Sequence, residues 1–462
     1  MAKKAKTVFV CQECGYETAK WMGQCICGAW SSFVEEKVLP LKEEDTRRRT
    51  TGISGKSAKA AKLSDISADS TLNRIDTGIG ELNRVLGGGI VKGSLTLISG
   101  EPGIGKSTLI MQAAHNIAKL GKRVLYISGE ESEIQLKMRA DRICSDLSDN
   151  FLVLSETNME NIFECAKAME AEFLIVDSIQ TTYTATLDAA PGSVSQVRAC
   201  GNEFMRLGKT FNIPVFIVAH VTKNGELAGP KIVEHLVDCV LHFTGERNQE
   251  LRILRSFKNR FGTTSEIGAF EMASSGLLEI KNLSQTFLEG TEGEKEGSTV
   301  SAVYEGTRPL LLEIQALTST ANAGFARRTA IGVDVSRLNM IIAVLERKVG
   351  LSLSNQDIYV NVVGGLKPEG TYTDLSVAMS IYSSYRDKTP MDKTILLGEI
   401  GLTGELRNIQ NAEKIAREAV RMGFDKIILP YGNAKKLAAI MGDDVKLIGV
   451  KNINDAINAC FS

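Results

Sequence analysis

The stretch SLTLISGEPGIGKST, Ser94–Thr108, constrains this chain more than any other. An apolar run ends at Gly100, a loop with glycines at Gly103 and Gly105 follows, and Lys106 and Ser107 open a segment of helical periodicity. This is the G-x-x-x-x-G-K-[ST] pattern in the context it requires, a strand before and a helix after. The glycines let backbone N–H groups turn inward around phosphate oxygens, and the N-terminus of the next helix adds a favourable dipole. The spacing assigns Gly100, Glu101, Pro102, Gly103, Ile104, Gly105, Lys106, Ser107 and Thr108 to a nucleoside triphosphate site. Lys106 is placed to reach the β and γ phosphates, and Ser107 to ligate Mg2+.

Around this loop, from about Ile66 to Ile280, short apolar runs (RVLYIS, FLIVDS, PVFIVAH) alternate with amphipathic segments. That alternation predicts an α/β fold, a parallel sheet covered by helices on both faces. FLIVDSIQ sets Asp177 at the carboxyl end of a strand, where a carboxylate can hold Mg2+ through water. YISGEES ends another strand with Glu130 and Glu131. Hydrolysis needs a carboxylate to orient the attacking water, a role assigned to Glu130, with Glu131 read as a helix-start charge stabilised by the dipole. His220 and Lys223 follow VFIVAH, where a strand end can sense a γ-phosphate; a satisfied surface histidine explains His220 equally well.

A second cationic feature lies far downstream. In LRILRSFKNRFGTT an apolar strand ends by presenting Lys258 and Arg260 on one short turn, with Asn259, Phe261 and Gly262 completing KNRFG.

With 462 residues the chain exceeds what one hydrophobic core normally organises. Composition shifts divide it into a cysteine-bearing module at 1–30, a charged linker at 31–65, the α/β core at 66–280, a Gly/Glu/Ser-rich linker at 281–299 and a further α/β domain at 300–462. A formal net charge of −1 means that nucleic-acid binding must come from local basic patches. No apolar run approaches bilayer length, and the apolar part of MAKKAKTVFV is too short for a secretory signal, so a cytoplasmic protein without membrane partners is expected. Four of nine cysteines crowd into residues 11–27, while Cys144, Cys165, Cys200, Cys239 and Cys460 stand singly among apolar neighbours. That distribution argues for a metal site and buried thiols in a reducing compartment.

TGIGELNRVLGGGIVKGSLTLISGEPGIGKSTL followed by YISGEES resembles the RecA-type ATPases, and KNRFG is similar to the signature of the bacterial RadA (Sms) family. The resemblance covers essentially the whole chain: a zinc module, a RecA-like P-loop ATPase core, and a C-terminal domain similar to that of Lon proteases. It implies a DNA-dependent ATPase that processes recombination intermediates and promotes branch migration as a hexameric, helicase-like motor on single-stranded DNA. ATP, Mg2+ and Zn2+ are the implied cofactors; single-stranded and branched DNA, a RecA-type recombinase and further copies of the chain are the implied partners. By the family motif, Lys258 and Arg260 act in trans on the transferred phosphoryl group, while Phe261 and Gly262 shape the turn. Direct contact with DNA phosphates is an alternative use of the same cations.

Within the cysteine module, CQECG supplies Cys11 and Cys14 as a C-x-x-C-G knuckle suited to tetrahedral zinc. QCICG supplies Cys25 and Cys27 with one intervening residue where the family has two, so either a tighter zinc site or a remodelled knuckle is expected. Tyr16, Trp21 and Trp30 are read as packing for this small module. In the Lon-like part, Asp374 and Glu413 stand at the positions of the Lon serine and lysine, with Ser376 and Lys414 close by, which predicts a non-proteolytic scaffold. There Arg327, Arg328 and Arg337 form a basic cluster that could track a DNA backbone. An ATP-dependent protease, and a RecA-like signalling ATPase acting on proteins, are the competing functional classes.

Overall fold

The computed structural model describes residues 6–13, 15–38, 62, 74–219, 231–245, 250–288, 295–321, 326–364, 368, 370–442 and 444–461. The chain forms two compact units, Met1–Lys281 and Asn282–Ser462.

The first unit begins with an antiparallel ribbon of β1 (Lys6–Cys11), β2 (Glu17–Thr18) and β3 (Phe33–Val38). The core then runs α1 (Gly80–Leu86), β4 (Leu95–Gly100), α2 (Lys106–Lys119), β5 (Val124–Ser128), α3 (Glu133–Ile143), β6 (Phe151–Ser155), α4 (Met159–Ala168) and β7 (Phe173–Asp177). It continues through β8 (Leu187–Asp188), α5 (Val194–Phe211), β9 (Val215–Val218), α6 (Lys231–Leu236), β10 (Cys239–Thr244), β11 (Leu251–Asn259), β12 (Ile267–Ala273) and β13 (Gly276–Glu279). Nine strands share one sheet in the order β13-β12-β11-β10-β4-β9-β7-β5-β6.

Every residue of β4, β5, β7 and β9 is buried, as strands covered on both faces require. Alternate side chains enter two separate cores. Ile98, Tyr126, Ile175 and Phe216 pack with Leu82, Leu109 and Ile110 of α1 and α2; Leu97, Leu125, Val176 and Ile217 pack with Ile162, Val197 and Phe204 of α4 and α5. From β10 to β6 the sheet is parallel, as the alternation predicts. β11, β12 and β13 add an antiparallel edge, because short turns between them need no helical crossover. The ribbon is joined to the core by β8, which pairs with β3 through Lys37↔Asp188 and Val38↔Leu187.

The second unit contains α7 (Leu283–Leu288), β14 (Ser298–Glu305), β15 (Arg308–Thr320), β16 (Arg328–Ile331), α8 (Val335–Val344), β17 (Gln356–Val362), α9 (Asp374–Arg386) and β18 (Thr394–Leu396). It ends with β19 (Glu399–Ile400), β20 (Leu406–Arg407), α10 (Ala412–Arg421), β21 (Lys426–Pro430), α11 (Tyr431–Met441), β22 (Lys446–Val450) and α12 (Ile453–Cys460). A mixed seven-stranded sheet, β16-β17-β15-β14-β18-β21-β22, forms its centre. Residues 281–299, read from composition as a linker, hold α7, whose Leu283 and Phe287 are buried. The apolar spacing of LSQTF, i and i+4, carries that helix.

Candidate functional site

β4 ends at Gly100 and the loop leads into α2, with positive φ at Gly100, Gly103 and Gly105. At Gly105 the backbone angle (φ 115°) is one that favours glycine, and a Cβ there would press on the flexible end of Met272 at 2.7 Å. Lys106 is buried, and its Nζ donates to the carbonyls of Gly100 (2.8 Å) and Glu101 (2.9 Å). Burial pushes the Lys106 amine down to about 8, against the opposing attraction of Asp177, Glu130 and Glu101. Ser107 and Thr108 follow, half-buried, on the first turn of α2.

Asp177, at the end of β7, is buried and accepts a hydrogen bond from the Tyr126 hydroxyl at 2.5 Å. Arg139, from α3, donates to the same hydroxyl at 3.0 Å, pairs with Glu131 at 2.8 Å, and lies 3.8 Å from Asp177. Glu130 accepts from the Ser178 hydroxyl at 2.8 Å. The turn carrying both glutamates is built locally: Ser128 Oγ accepts the backbone N–H groups of Glu130 and Glu131, and Ser132 with Gln135 forms a capping box on α3. Sequence reasoning placed Lys106, Glu130 and Asp177 together, and the structure does so. It missed Tyr126 and Arg139; the one signal for Tyr126 was a phenol in the middle of a short, fully buried strand. It also missed His242, whose Nδ1 lies 2.9 Å from Ser99 Oγ and whose imidazole is held low by burial and by the Lys106 charge. His220 and Lys223 lie outside the described residues.

KNRFG ends β11. Lys258 Nζ donates to the Glu234 carbonyl at 2.8 Å, and Arg260 pairs with buried Asp238 at 3.4 Å while its side chain stays largely exposed. Burial, then the neighbouring Arg260 charge, lower the Lys258 amine. Asn259 Nδ2 donates to the Val85 carbonyl, Phe261 N–H donates to Asn259 Oδ1, and Arg74 donates to the Phe261 carbonyl, so the turn is tied to α1. Gly262 and Gly87 meet backbone to backbone: a Cβ on Gly262 would lie 2.9 Å from Gly87 Cα. Register fixes where this turn sits. Asn259 pairs with Cys239 and Cys239 with Thr96, whereas Gly100 pairs with Phe243. Four residues along β4 separate KNRFG from the phosphate loop by about 13 Å in the strand direction, so the turn sits at the opposite end of the strands.

In the ribbon, the sulfurs of Cys11, Cys25 and Cys27 lie within 4.8 Å of one another, with Cys11 and Cys27 3.9 Å apart. Thiolates about 2.3 Å from a tetrahedral Zn2+ stand about 3.8 Å apart, so the three fit such an ion. The shortened Cys25-x-Cys27 spacing does not keep its sulfurs apart, because the turn closes through Gly28 N–H donating to the Cys25 carbonyl. Cys14 lies outside the described residues. Trp21 and Trp30 are largely exposed; the packing role expected of them falls instead to Phe33 with Cys11 and Cys25. Burial holds the Cys200 and Cys239 thiols up at about 11 and about 12, inert as expected of structural cysteines.

In the second unit, Arg337 donates to Asp374 and to the Ile400 carbonyl. Arg328 donates to the carbonyls of Gln356 and Leu353. Both were expected to face DNA beside Arg327, and both direct their donors into the fold; Arg327 is exposed. Ser376 is fully buried with its Oγ 2.8 Å from Thr299 Oγ1, and Lys414 donates to the Tyr304 hydroxyl at 2.7 Å. No serine–lysine dyad is assembled from these two.

Three families match in order along the chain: the rubredoxin metal binding domain over residues 9–35, the AAA domain over 58–226, and subunit ChlI of Mg-chelatase over 325–433. Among curated proteins the chain is similar to DNA repair protein RadA of Halalkalibacterium halodurans (49% identity, 99% of each chain). It is also similar to the proteins of the same description from Bacillus subtilis (48%, 98% of each) and Listeria monocytogenes (47%, 99% of each). The chain is an ATP-hydrolysing enzyme whose cofactors are ATP with Mg2+, and Zn2+ at the cysteine cluster. No helix among the described residues is long and apolar enough to cross a membrane.

Proposed function

The chain belongs to the RadA family of DNA repair proteins, and on that premise we propose that it is a DNA-stimulated ATPase that drives branch migration of recombination intermediates. Magnesium-bound ATP supplies the transferable phosphoryl group and neutralises part of its charge. Lys106, curled onto its own loop carbonyls, would exchange them for phosphate oxygens, and Ser107 and Asp177 would hold the Mg2+. Glu130 orients the attacking water.

The observation that carries the motor reading is the position of KNRFG. Lys258 and Arg260 stand at the end of the strands away from their own phosphate loop, which supports a role on a nucleotide held by a neighbouring copy. Such an arrangement closes into a ring, for which we infer six subunits from the family resemblance. Exposed Arg260 is the cation free to swing towards the transferred phosphoryl group, and Lys258, held by helix α6 carbonyls, sets the turn's charge. Arg327 is the proposed contact to the DNA backbone in the second unit, which acts as a scaffold. A RecA-type recombinase is the proposed partner.

Strand-exchange reactions assembled with a RecA-type recombinase test the reading. Added protein should extend heteroduplex only with ATP, and the Lys106→Ala protein should not; equal extension by both would refute it. Arg260→Ala should bind ATP normally and hydrolyse it roughly 1,000-fold more slowly. Hydrolysis at the normal rate by that variant, with DNA present, would remove the trans assignment.

A further inference from the structure

Three carboxylates converge beside the phosphate loop: Glu130 and Glu131 from the turn after β5, and Asp177 from the end of β7. Their partners differ. Asp177 takes the Tyr126 hydroxyl proton in a 2.5 Å hydrogen bond, and Tyr126 in turn accepts from Arg139 at 3.0 Å. Arg139 closes the circuit through its 2.8 Å pair with Glu131 and its 3.8 Å approach to Asp177. Glu130 is engaged from the other side by Ser178.

We propose that Tyr126 and Arg139 are positioning residues for the magnesium side of the site: the relay Arg139–Tyr126–Asp177 fixes the orientation of the Asp177 carboxylate, and Arg139, by engaging Glu131, leaves Glu130 as the carboxylate that orients water. This deepens the ATPase reading and rests on it.

Geometry makes the relay directional. Tyr126 sits mid-strand and fully buried, and its ring is flanked by Phe151 at 6.4 Å and by the Arg139 guanidinium at 5.9 Å, so its hydroxyl has little freedom to turn away. The hydroxyl donates to the Asp177 carboxylate at 2.5 Å and is itself backed by Arg139. One oxygen of Asp177 is thereby occupied and the carboxylate plane is set, which leaves the other oxygen to face the metal side. Hydrogen-bond partners behind a metal-binding carboxylate are worth about 10–100-fold in metal affinity. Arg139 is itself held by Glu131, Tyr126 and α3, so it can be exchanged without opening the sheet.

The test is binding of a fluorescent ATP analogue to the full-length chain as free Mg2+ is varied. Tyr126→Phe and Arg139→Gln should each raise the Mg2+ midpoint about 10-fold or more, with binding in chelator unchanged, and Arg139→Lys should recover part of the shift. Glu131→Gln should move the midpoint in the same direction while hydrolysis persists, whereas Glu130→Gln should lose hydrolysis with the midpoint held. Midpoints that stay at the wild-type value in Tyr126→Phe and Arg139→Gln would overturn the proposal. A wild-type protein whose binding ignores Mg2+ would instead overturn the ATPase reading beneath it. Should Tyr126→Phe fail to fold, Arg139→Gln on the helix carries the test alone.

Discussion

Lys106 shows how a single residue links burial to ligand binding. Burial lowers its amine to about 8, although the two loop carbonyls it donates to and the nearby carboxylates favour the charged form. A triphosphate favours the charged amine, so nucleotide binding takes up a proton wherever the free protein has lost one. Affinity should therefore be constant below about pH 8 and fall by up to about tenfold per pH unit above it, a slope that equilibrium binding across pH 7–9.5 would read. The same depression means that stability gained from Lys106 rises with pH between about 8 and the ordinary lysine value, since the unfolded chain binds more protons there. Lys106 and Asp177 were legible because one begins a helix and the other ends a strand in a known pattern, and Glu130 because it follows a strand in the turn of YISGEES. Tyr126, Arg139 and Asp238 were not, because their roles come from pairings between strands and helices distant in sequence.

Elements explain which parts of the architecture sequence could reach. Buried parallel strands read as apolar runs, and the doubly covered sheet followed from them. Of the antiparallel edge only β11 was read as a strand; its pairing with β12 and β13 was not, since nothing in the residue pattern fixes which strands neighbour it. That edge sets the KNRFG turn against α1 through the Gly87–Gly262 contact. Gly262→Ala should cost about 1–3 kcal/mol in urea unfolding and displace the turn, lowering ATP hydrolysis more than ATP binding. Among the described residues of the ribbon the core cluster is Cys11, Cys25 and Phe33 with Phe9 and Ala29 packed against it, a core small enough that the metal is expected to hold the fold. Chelation should strip hydrogen-exchange protection from residues 6–38 and leave that of β4, β5 and β7 in place; equal protection with and without chelator would show that the ribbon stands alone.

At the scale of the whole molecule, the chain carries a nucleotide loop at one end of the core strands and a cationic turn at the other, the division on which the proposed action in trans rests. Mixing Lys106→Ala chains with Arg260→Ala chains should restore part of the activity, because some interfaces then pair an intact loop with an intact turn; activity no greater than that of either variant alone would argue that the turn serves its own loop. In the second unit, of the three arginines expected to line DNA only Arg327 is exposed, because Arg328 and Arg337 are tied into the fold. That loss was invisible to sequence, where three arginines count alike. The central claim is that DNA drives ATP turnover, and the direct measurement is the steady-state ATPase rate of the full-length protein with and without single-stranded and branched DNA, against Lys106→Ala as the blank. Strong stimulation that disappears in Lys106→Ala is the expected result, and turnover that does not respond to either DNA would contradict it.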